Sequence, residues 1–190
     1  MRRVVVTGIG IVSSIGNNTK EVYNSLIHGK SGITKNEDMA SYGFRSQIAG
    51  NIKLDVSEHV DKRSLRFMGP GAAYAHIAME QAINDSGLTE QEVSNIRTGL
   101  VAGSGGPSTS AMLTAHQTVL KNSSPKRIGP FAVPKCMSST ISANLATAYK
   151  IKGINYSITS ACSTSLHCIG NAVDQILMNK QDIMLSLIHI

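Results

Sequence analysis

The feature that most constrains the fold of this chain is a cysteine between a short apolar run and an amphipathic stretch. Residues 158–165 read ITSACSTS, with Cys162 near the centre of the segment. The apolar residues across 154–159 predict a buried strand, and the apolar spacing across 163–178 predicts a helix. A strand that turns sharply into a helix through small residues can present a nucleophile. The segment therefore predicts an α/β fold with Cys162 in the turn.

Other segments repeat this alternation of strands and helices. The run 3–7 is rich in β-branched residues and predicts a strand buried on both faces, and 98–102 predicts another buried strand. Helical periodicity covers 65–86 and 134–149, and Asn18 is a good start signal for a first helix. Strands that alternate with helices predict a mostly parallel sheet.

The charge of the chain is distributed unevenly. The 190 residues carry a net charge of +6, and no carboxylate occurs between Glu92 and Asp174. Lys62, Arg63 and Arg66 form a compact basic cluster at helical spacing. Such a surface is either solvated or binds an acidic protein or a phosphorylated ligand. Nucleic acid is disfavoured, because only 4% of the residues are aromatic and these do not alternate with basic residues.

Composition excludes further classes of protein. No apolar run approaches the roughly 18 residues that cross a bilayer, and the N-terminus lacks the apolar core of a signal peptide. A cytoplasmic location is therefore expected. The six histidines show no paired ligand spacing, so no metal site is expected. No cofactor is expected either. Three cysteines without a secretory signal predict free thiols.

The position of Cys162 suits nucleophilic chemistry. At a helix N-terminus, unpaired N–H groups and the helix dipole favour a thiolate and can stabilise an oxyanion. Cys136 and Cys168 fall inside predicted helices, where a packing role is expected. His167 lies five residues further on, about 140° round a helix that turns ~100° per residue, and so points away from Cys162. The acid or base that such a cysteine normally needs is expected outside this chain.

Four segments carry a resemblance to a known family. They are VTGIGIVSSIGNN at 6–18, GIT at 32–34, AGSGG at 102–106 and the stretch 155–173 around Cys162. Residues 1–184 resemble the N-terminal half of the β-ketoacyl-[acyl-carrier-protein] synthases, and within them the type I condensing enzymes of bacterial fatty-acid synthesis. Residues 185–190, LSLIHI, depart from the family pattern and are expected to form a tail outside the domain.

The resemblance implies a thiolase-like fold, in which two similar halves stack as α-β-α-β-α layers and the enzyme forms a homodimer. This chain is expected to be the N-terminal half alone, truncated after the helix that follows the nucleophile. The family's two catalytic histidines, its catalytic lysine and its second oxyanion donor belong to the other half, and His189 is not expected to replace them. The 190 residues are therefore expected to lack condensation activity. They are also expected to fold poorly, because they expose surfaces that the other half covers.

The resemblance also assigns roles to individual residues. Cys162 matches the nucleophile that accepts the acyl chain, before malonyl-carrier protein loses CO2 and its carbanion attacks the thioester. Gly106 matches a residue of the acyl tunnel, and Met137 one that reaches the tunnel of the partner subunit. The implied activity is that of a 3-oxoacyl-[acyl-carrier-protein] synthase, an acyltransferase of fatty-acid elongation. Five residues fall where the family binds its acidic acyl carrier protein: Lys62, Arg63, Arg66, Lys126 and Arg127.

Three other interpretations stay open. A type II synthase or a polyketide ketosynthase belongs to the same class of condensing enzymes. A non-catalytic carrier-binding or chain-length partner would lack the nucleophilic cysteine, so Cys162 argues against it. A basic nucleic-acid-binding domain would bind DNA in a salt-sensitive way that an acidic carrier protein cannot compete away.

Overall fold

The computed structural model describes residues 2–189, and none of the helices in this range is long and apolar enough to cross a membrane. The helices are α1 (Thr19–Ile27), α2 (Glu37–Ser41), α3 (Lys62–Leu65), α4 (Pro70–Ser86), α5 (Glu90–Val93), α6 (Thr109–Asn122), α7 (Ala132–Cys136), α8 (Thr140–Ala148) and α9 (Thr164–Leu177). The strands are β1 (Ile33–Lys35), β2 (Ile48–Gly50), β3 (Thr98–Ser104), β4 (Asn155–Tyr156) and β5 (Ile183–His189). Single turns of 3-10 helix lie at Val56–Glu58, Pro125–Arg127 and Ala161–Ser163.

A three-stranded parallel sheet lies at the centre, in the order β4-β3-β5. β3 pairs with β5 along its whole length, from Thr98↔Ile183 to Ser104↔His189. All seven residues of β3 are buried, as expected for the middle strand of a parallel sheet. The predicted α/β class with parallel strands is confirmed. β1 and β2 form a separate antiparallel pair.

Helices cover both faces of the central sheet. Leu100 and Ala102 belong to one hydrophobic core with buried residues of α4 and α8. Alternate residues of a strand point to opposite faces, and a Cβ at Gly103 would lie 2.7 Å from Thr164 Cγ2 of α9. Thr164 and Cys168 are buried in turn. The order of layers is therefore α4 with α8, then the sheet, then α9.

Two helix starts follow local signals in the sequence. Asn18 caps α1 as predicted, because its side chain accepts a hydrogen bond from the Glu21 amide (2.9 Å). The predicted helix 65–86 is wrong at residues 66–69, which separate α3 from α4, since α4 begins at Pro70. A proline disfavours helical backbone in the residue before it, here Gly69, and is itself well suited to the first helical position.

The predicted helix 134–149 is also interrupted. α7 ends at Cys136, Met137 is extended, and α8 begins at Thr140. The Thr140 hydroxyl donates to the Pro134 carbonyl, which a continuous helix would pair with the amide four residues further on. Hydroxyl groups of this kind compete with the backbone for its hydrogen bonds. One predicted helix is thus two helices joined by residues 137–139, of which Met137 is extended.

The run 3–7 is not a strand, so that prediction is wrong. Val5 and Val6 are 58% and 79% exposed. The chain continues along α4, where the Ile9 amide donates to Asp85 Oδ2 (2.9 Å). Because β4 and β5 already occupy the two edges of β3, the run has no edge of that strand on which to pair.

β5 includes most of the segment that was expected to lie outside the domain. It runs from Ile183 to His189, and Leu185 is buried against the core. The domain boundary at residue 184 stays a prediction, and the side chain of His189 lies outside the described residues.

A single carboxylate connects the N-terminus to the beginning of two strands. Asp182, just before β5, accepts hydrogen bonds from Arg97 Nε (2.9 Å) and Nη2 (2.8 Å), just before β3. Arg2 Nη2 also donates to Asp182, at 2.7 Å. The Arg97 and Arg2 guanidinium groups hold the pKa of Asp182 well below its ordinary value of 3.8.

Candidate functional site

The segment before Cys162 runs beside β3 with little strand pairing. β4 has two residues, so the predicted strand 154–159 is too long. Beyond it, Ser157 Oγ lies 2.5 Å from Ser142 Oγ of α8. The Ile158 carbonyl occupies the place where a Cβ at Gly103 would stand. The backbone at Ile158 approaches Gly103 closely, which requires glycine at 103. This approach takes the place of the strand hydrogen bonds that the predicted strand implied.

Cys162 lies in the 3-10 turn Ala161–Ser163 that leads directly into α9. The Ser163 amide donates to the Ser160 carbonyl (3.1 Å) and closes this turn. Ala161 has a φ of +50°, a left-handed conformation that costs a residue with a Cβ about 1–2 kcal/mol. Residues in such conformations cluster at functional sites, where other contacts hold them. The predicted sharp turn is confirmed.

Thr164 ties together the two peptide groups that precede Cys162. Its hydroxyl accepts a hydrogen bond from the Ser160 amide (2.9 Å) and donates to the Ala161 carbonyl (2.8 Å). Thr164 is fully buried, so water does not compete for either bond. Sequence reasoning missed this residue. A threonine two positions after Cys162 was the available signal, because threonine hydroxyls often bond to nearby backbone groups.

His167 and Ser160 form a side-chain pair beside the same turn. Ser160 Oγ lies 2.6 Å from His167 Nδ1. Within residues 2–189, no hydrogen bond joins His167 to Cys162. The pair was not predicted, because helical spacing locates His167 relative to its own helix and says nothing about a residue on the far side of a turn.

Cys162 lines a cavity of about 440 Å³. Gly106 and Met137 line the same cavity, so the three residues assigned to the acyl group meet at one space. Among the residues that the structure describes, none lies within 4 Å of where a Cβ at Gly106 would stand. Apolar side chains such as Ile141 form part of the wall, and Lys135 is the one charged residue among those that line it.

The three cysteines differ in their access to solvent. Cys162 is exposed, Cys136 is half-buried and Cys168 is buried, and all three are free thiols. Burial raises the pKa of the Cys168 thiol and so disfavours its reactive form. The Cys136 thiol donates to the Val133 carbonyl (3.5 Å). Cys162 is therefore the accessible thiol.

The five basic residues assigned to carrier binding are all exposed, and together they are called the basic face. Three lie in or just after α3, and two lie in the 3-10 turn before α7: Lys62, Arg63, Arg66, Lys126 and Arg127. The two segments are joined by Phe67 and Phe131, whose rings meet edge to face with centroids 4.9 Å apart. In the part of the chain that the structure describes, none of the five forms an ion pair.

Comparisons with known proteins are consistent over nearly the whole chain. The family described as "Beta-ketoacyl synthase, N-terminal domain" matches residues 1–187. The 3-oxoacyl-[acyl-carrier-protein] synthase 1 of Haemophilus influenzae is 54% identical over 97% of this chain and 45% of that protein. The synthase 1 of Escherichia coli K12 is 50% identical over 97% of this chain and 46% of that protein.

A solved structure agrees with the sequence comparisons. The crystal structure of a beta-ketoacyl synthase from Burkholderia phymatum STM815 matches with a TM-score of 0.84 at 27% identity. The match covers 98% of this chain and 46% of that chain. The chain thus spans about half the length of the relatives it matches.

Proposed function

Since the chain belongs to the β-ketoacyl synthase family, as its N-terminal domain, we propose that it forms the acyl-accepting half of a type I 3-oxoacyl-[acyl-carrier-protein] synthase. The position of Cys162 carries this proposal: it is the exposed thiol, it precedes α9, and it opens into the cavity. Relatives of the synthase 1 class at 50% and 54% identity support type I over a type II or polyketide enzyme.

The first step of the proposed reaction is acyl transfer to Cys162. Its sulfur attacks the carbonyl carbon of the thioester on an acyl carrier protein, and a tetrahedral oxyanion forms. The bond from that carbon to the carrier sulfur then breaks, and the carrier thiol leaves with the proton that Cys162 gave up. N–H groups at the start of α9 have no intrahelical partner and suit the developing negative charge.

The second step of the proposed reaction is condensation. Malonyl-carrier protein loses CO2, and the resulting carbanion attacks the Cys162 thioester, which releases a 3-oxoacyl product and the free thiolate. The resemblance assigns the histidines and the lysine of this step to residues beyond this chain. We therefore expect the 190 residues to accept an acyl group without condensing it.

The cavity is the proposed site of the bound acyl chain. Gly106 and Met137 line it beside Cys162, and the free space next to Gly106 leaves room for methylene groups. A larger side chain at 106 fills that space. Its introduction should therefore slow the transfer of long acyl groups to Cys162 more than the transfer of short ones.

The basic face is the proposed docking surface for the carrier protein. The relatives are named for an acyl-carrier-protein substrate, and the five exposed cations have no carboxylate partner within the described residues. A surface of one charge sign speeds the encounter with a partner of opposite charge, and salt weakens the effect. A homodimer and a cytoplasmic location are part of the same proposal, and size-exclusion chromatography tests the dimer.

The test separates loading from condensation. The purified chain is incubated with a carrier protein that bears a radiolabelled acyl group. The acylated residue is then identified by peptide mass spectrometry. We expect a thioester on Cys162 that Cys162→Ala abolishes and that Cys136→Ala leaves intact. Addition of malonyl-carrier protein should yield no 3-oxoacyl product.

Each rival function gives a different result. Carrier binding without acylation indicates a non-catalytic partner, and label that survives Cys162→Ala moves the nucleophile to another residue. DNA binding that carrier protein cannot displace indicates a nucleic-acid-binding domain.

Replacing Lys62 and Arg66 with alanine should weaken carrier binding most at low salt.

A further inference from the structure

The turn that carries Cys162 is held from two sides by residues of α9. Thr164 binds the backbone on both sides of Ala161, at 2.9 and 2.8 Å. His167, one helical turn further on, binds the side chain of Ser160 at 2.6 Å. These two contacts meet at one residue, because Ser160 bonds to Thr164 through its amide and to His167 through its hydroxyl.

We propose that His167 is a positioning residue for Cys162. Its hydrogen bond to Ser160 holds the left-handed conformation at Ala161. That conformation directs the Cys162 sulfur into the cavity. The proposal rests on the proposed function for the role of Cys162 as acyl acceptor, whereas its geometry is independent of that role.

The conformation of Ala161 explains why a second anchor is needed. A residue with a Cβ relaxes to negative φ unless its neighbours hold it. Thr164 fixes peptide groups, and the His167 bond fixes the position of Ser160 relative to α9. If Ser160 moves, Ala161 can rotate, and Cys162 rotates with it. Displacements of about 1 Å are enough to slow a reaction strongly.

The contact suits a holding role better than proton transfer. When Nδ1 is unprotonated it accepts the Ser160 hydroxyl proton, and when Nδ1 is protonated it donates to the Ser160 oxygen. The bond therefore survives in either tautomer and in the imidazolium. Asn171 Nδ2 donates to the His167 carbonyl (2.9 Å), which continues the bonding along α9.

The test measures the rate at which iodoacetamide alkylates Cys162 in the 190-residue chain, with Cys136 as an internal reference. We expect His167→Leu to slow alkylation of Cys162 about tenfold, as for loss of a hydrogen bond that positions a reacting group. Cys136 should react at an unchanged rate. His167→Asn should restore the rate to within about twofold, because its side-chain amide can occupy the place of Nδ1.

A double-variant cycle separates positioning from general stability. Ser160→Ala should slow the alkylation of Cys162 as much as His167→Leu does. The variant that combines both substitutions should be no slower, because both remove the same hydrogen bond. His116→Leu, on the exposed face of α6, is the matched control and should react like the wild type.

Three results would overturn the proposal: an unchanged Cys162 rate in His167→Leu, failure of His167→Asn to restore it, or equal slowing at Cys136. Acyl transfer from carrier protein is measured on the same variants. If the wild type accepts no acyl group, the proposed function fails, whereas the alkylation rates still decide the role of His167.

Discussion

Residues 3–7 and 98–104 look alike in sequence and lie in opposite environments. Both are apolar runs with β-branched residues, and both begin beside Asp182, which binds Arg2 and Arg97. Val101 is fully buried in β3, whereas Val6 is 79% exposed. The two runs therefore begin at the same place, and one enters the centre of the sheet while the other follows a helix surface.

Available partners, and not residue preferences, account for the difference. β3 has a strand on each side. The other run reaches α4, where the amides of Ile9 and Ile11 donate to side chains of Asp85 and Gln81 at 2.9 and 3.1 Å. Strand preference mostly reflects packing against neighbours, so similar sequences diverge when their neighbours differ.

A matched pair of valines gives the largest expected contrast. Val101→Ala should lower the free energy of unfolding by about 2.5 kcal/mol, because it opens a cavity in the core. Val6→Ala should change it by less than about 0.5 kcal/mol, as for an exposed residue. Urea unfolding monitored by circular dichroism measures both. Equal losses would mean that the run 3–7 is buried in solution.

A second pair of variants tests whether the N-terminal run packs on α4. A Cβ at Gly10 would overlap the Ala78 carbonyl, so Gly10→Val should cost about 1.5 kcal/mol of unfolding free energy. Gly170→Ala, on the exposed face of α9 with open space around it, should stabilise the protein by about 0.5–1 kcal/mol. A neutral Gly10→Val would place the run away from the helix.

The smallest expected effect is a pH dependence at the carboxylate shared by the two runs. Bonds from Arg97 and Arg2 lower the pKa of Asp182 below 3.8 in the folded protein. Its contribution to stability is therefore complete above about pH 4 and decreases as the pH falls further, because the unfolded chain takes up the proton first. Urea unfolding between pH 7 and 3 should show a steeper loss for the wild type than for Asp182→Asn. Parallel plots of unfolding free energy against pH for the two proteins would contradict the hydrogen bonds from Arg97 and Arg2 to Asp182.

The parts of the fold that sequence predicts well depend on neighbours along the chain. The cap at Asn18 needs only the next three residues. The turn at Cys162 needs small residues followed at once by a helix, and both can be read from the sequence that begins with ITSACSTS. Local interactions of this kind leave a pattern in the sequence, so the turn at Cys162 and the helix after it can be predicted from sequence.

The parts that sequence missed depend on residues far apart or on competition between bonds. Nothing within 3–7 indicates that β5 takes the neighbouring place beside β3. The break between α7 and α8 arises because the Thr140 hydroxyl competes for a carbonyl that a helix would use. The Ser160–His167 contact spans the turn itself, so helical periodicity cannot reveal it.

The last residues of β3 and the loop after them contain one position closed to side chains and one position open to them. Gly103 admits none, because the Ile158 carbonyl stands where a Cβ would be. Gly106, three residues later, faces free space beside the cavity. A side chain at 106 can therefore alter which molecules fit the cavity, whereas a side chain at 103 would displace the backbone that leads to Cys162. The size of the cavity and the architecture of the backbone can therefore be changed separately at two positions only three residues apart.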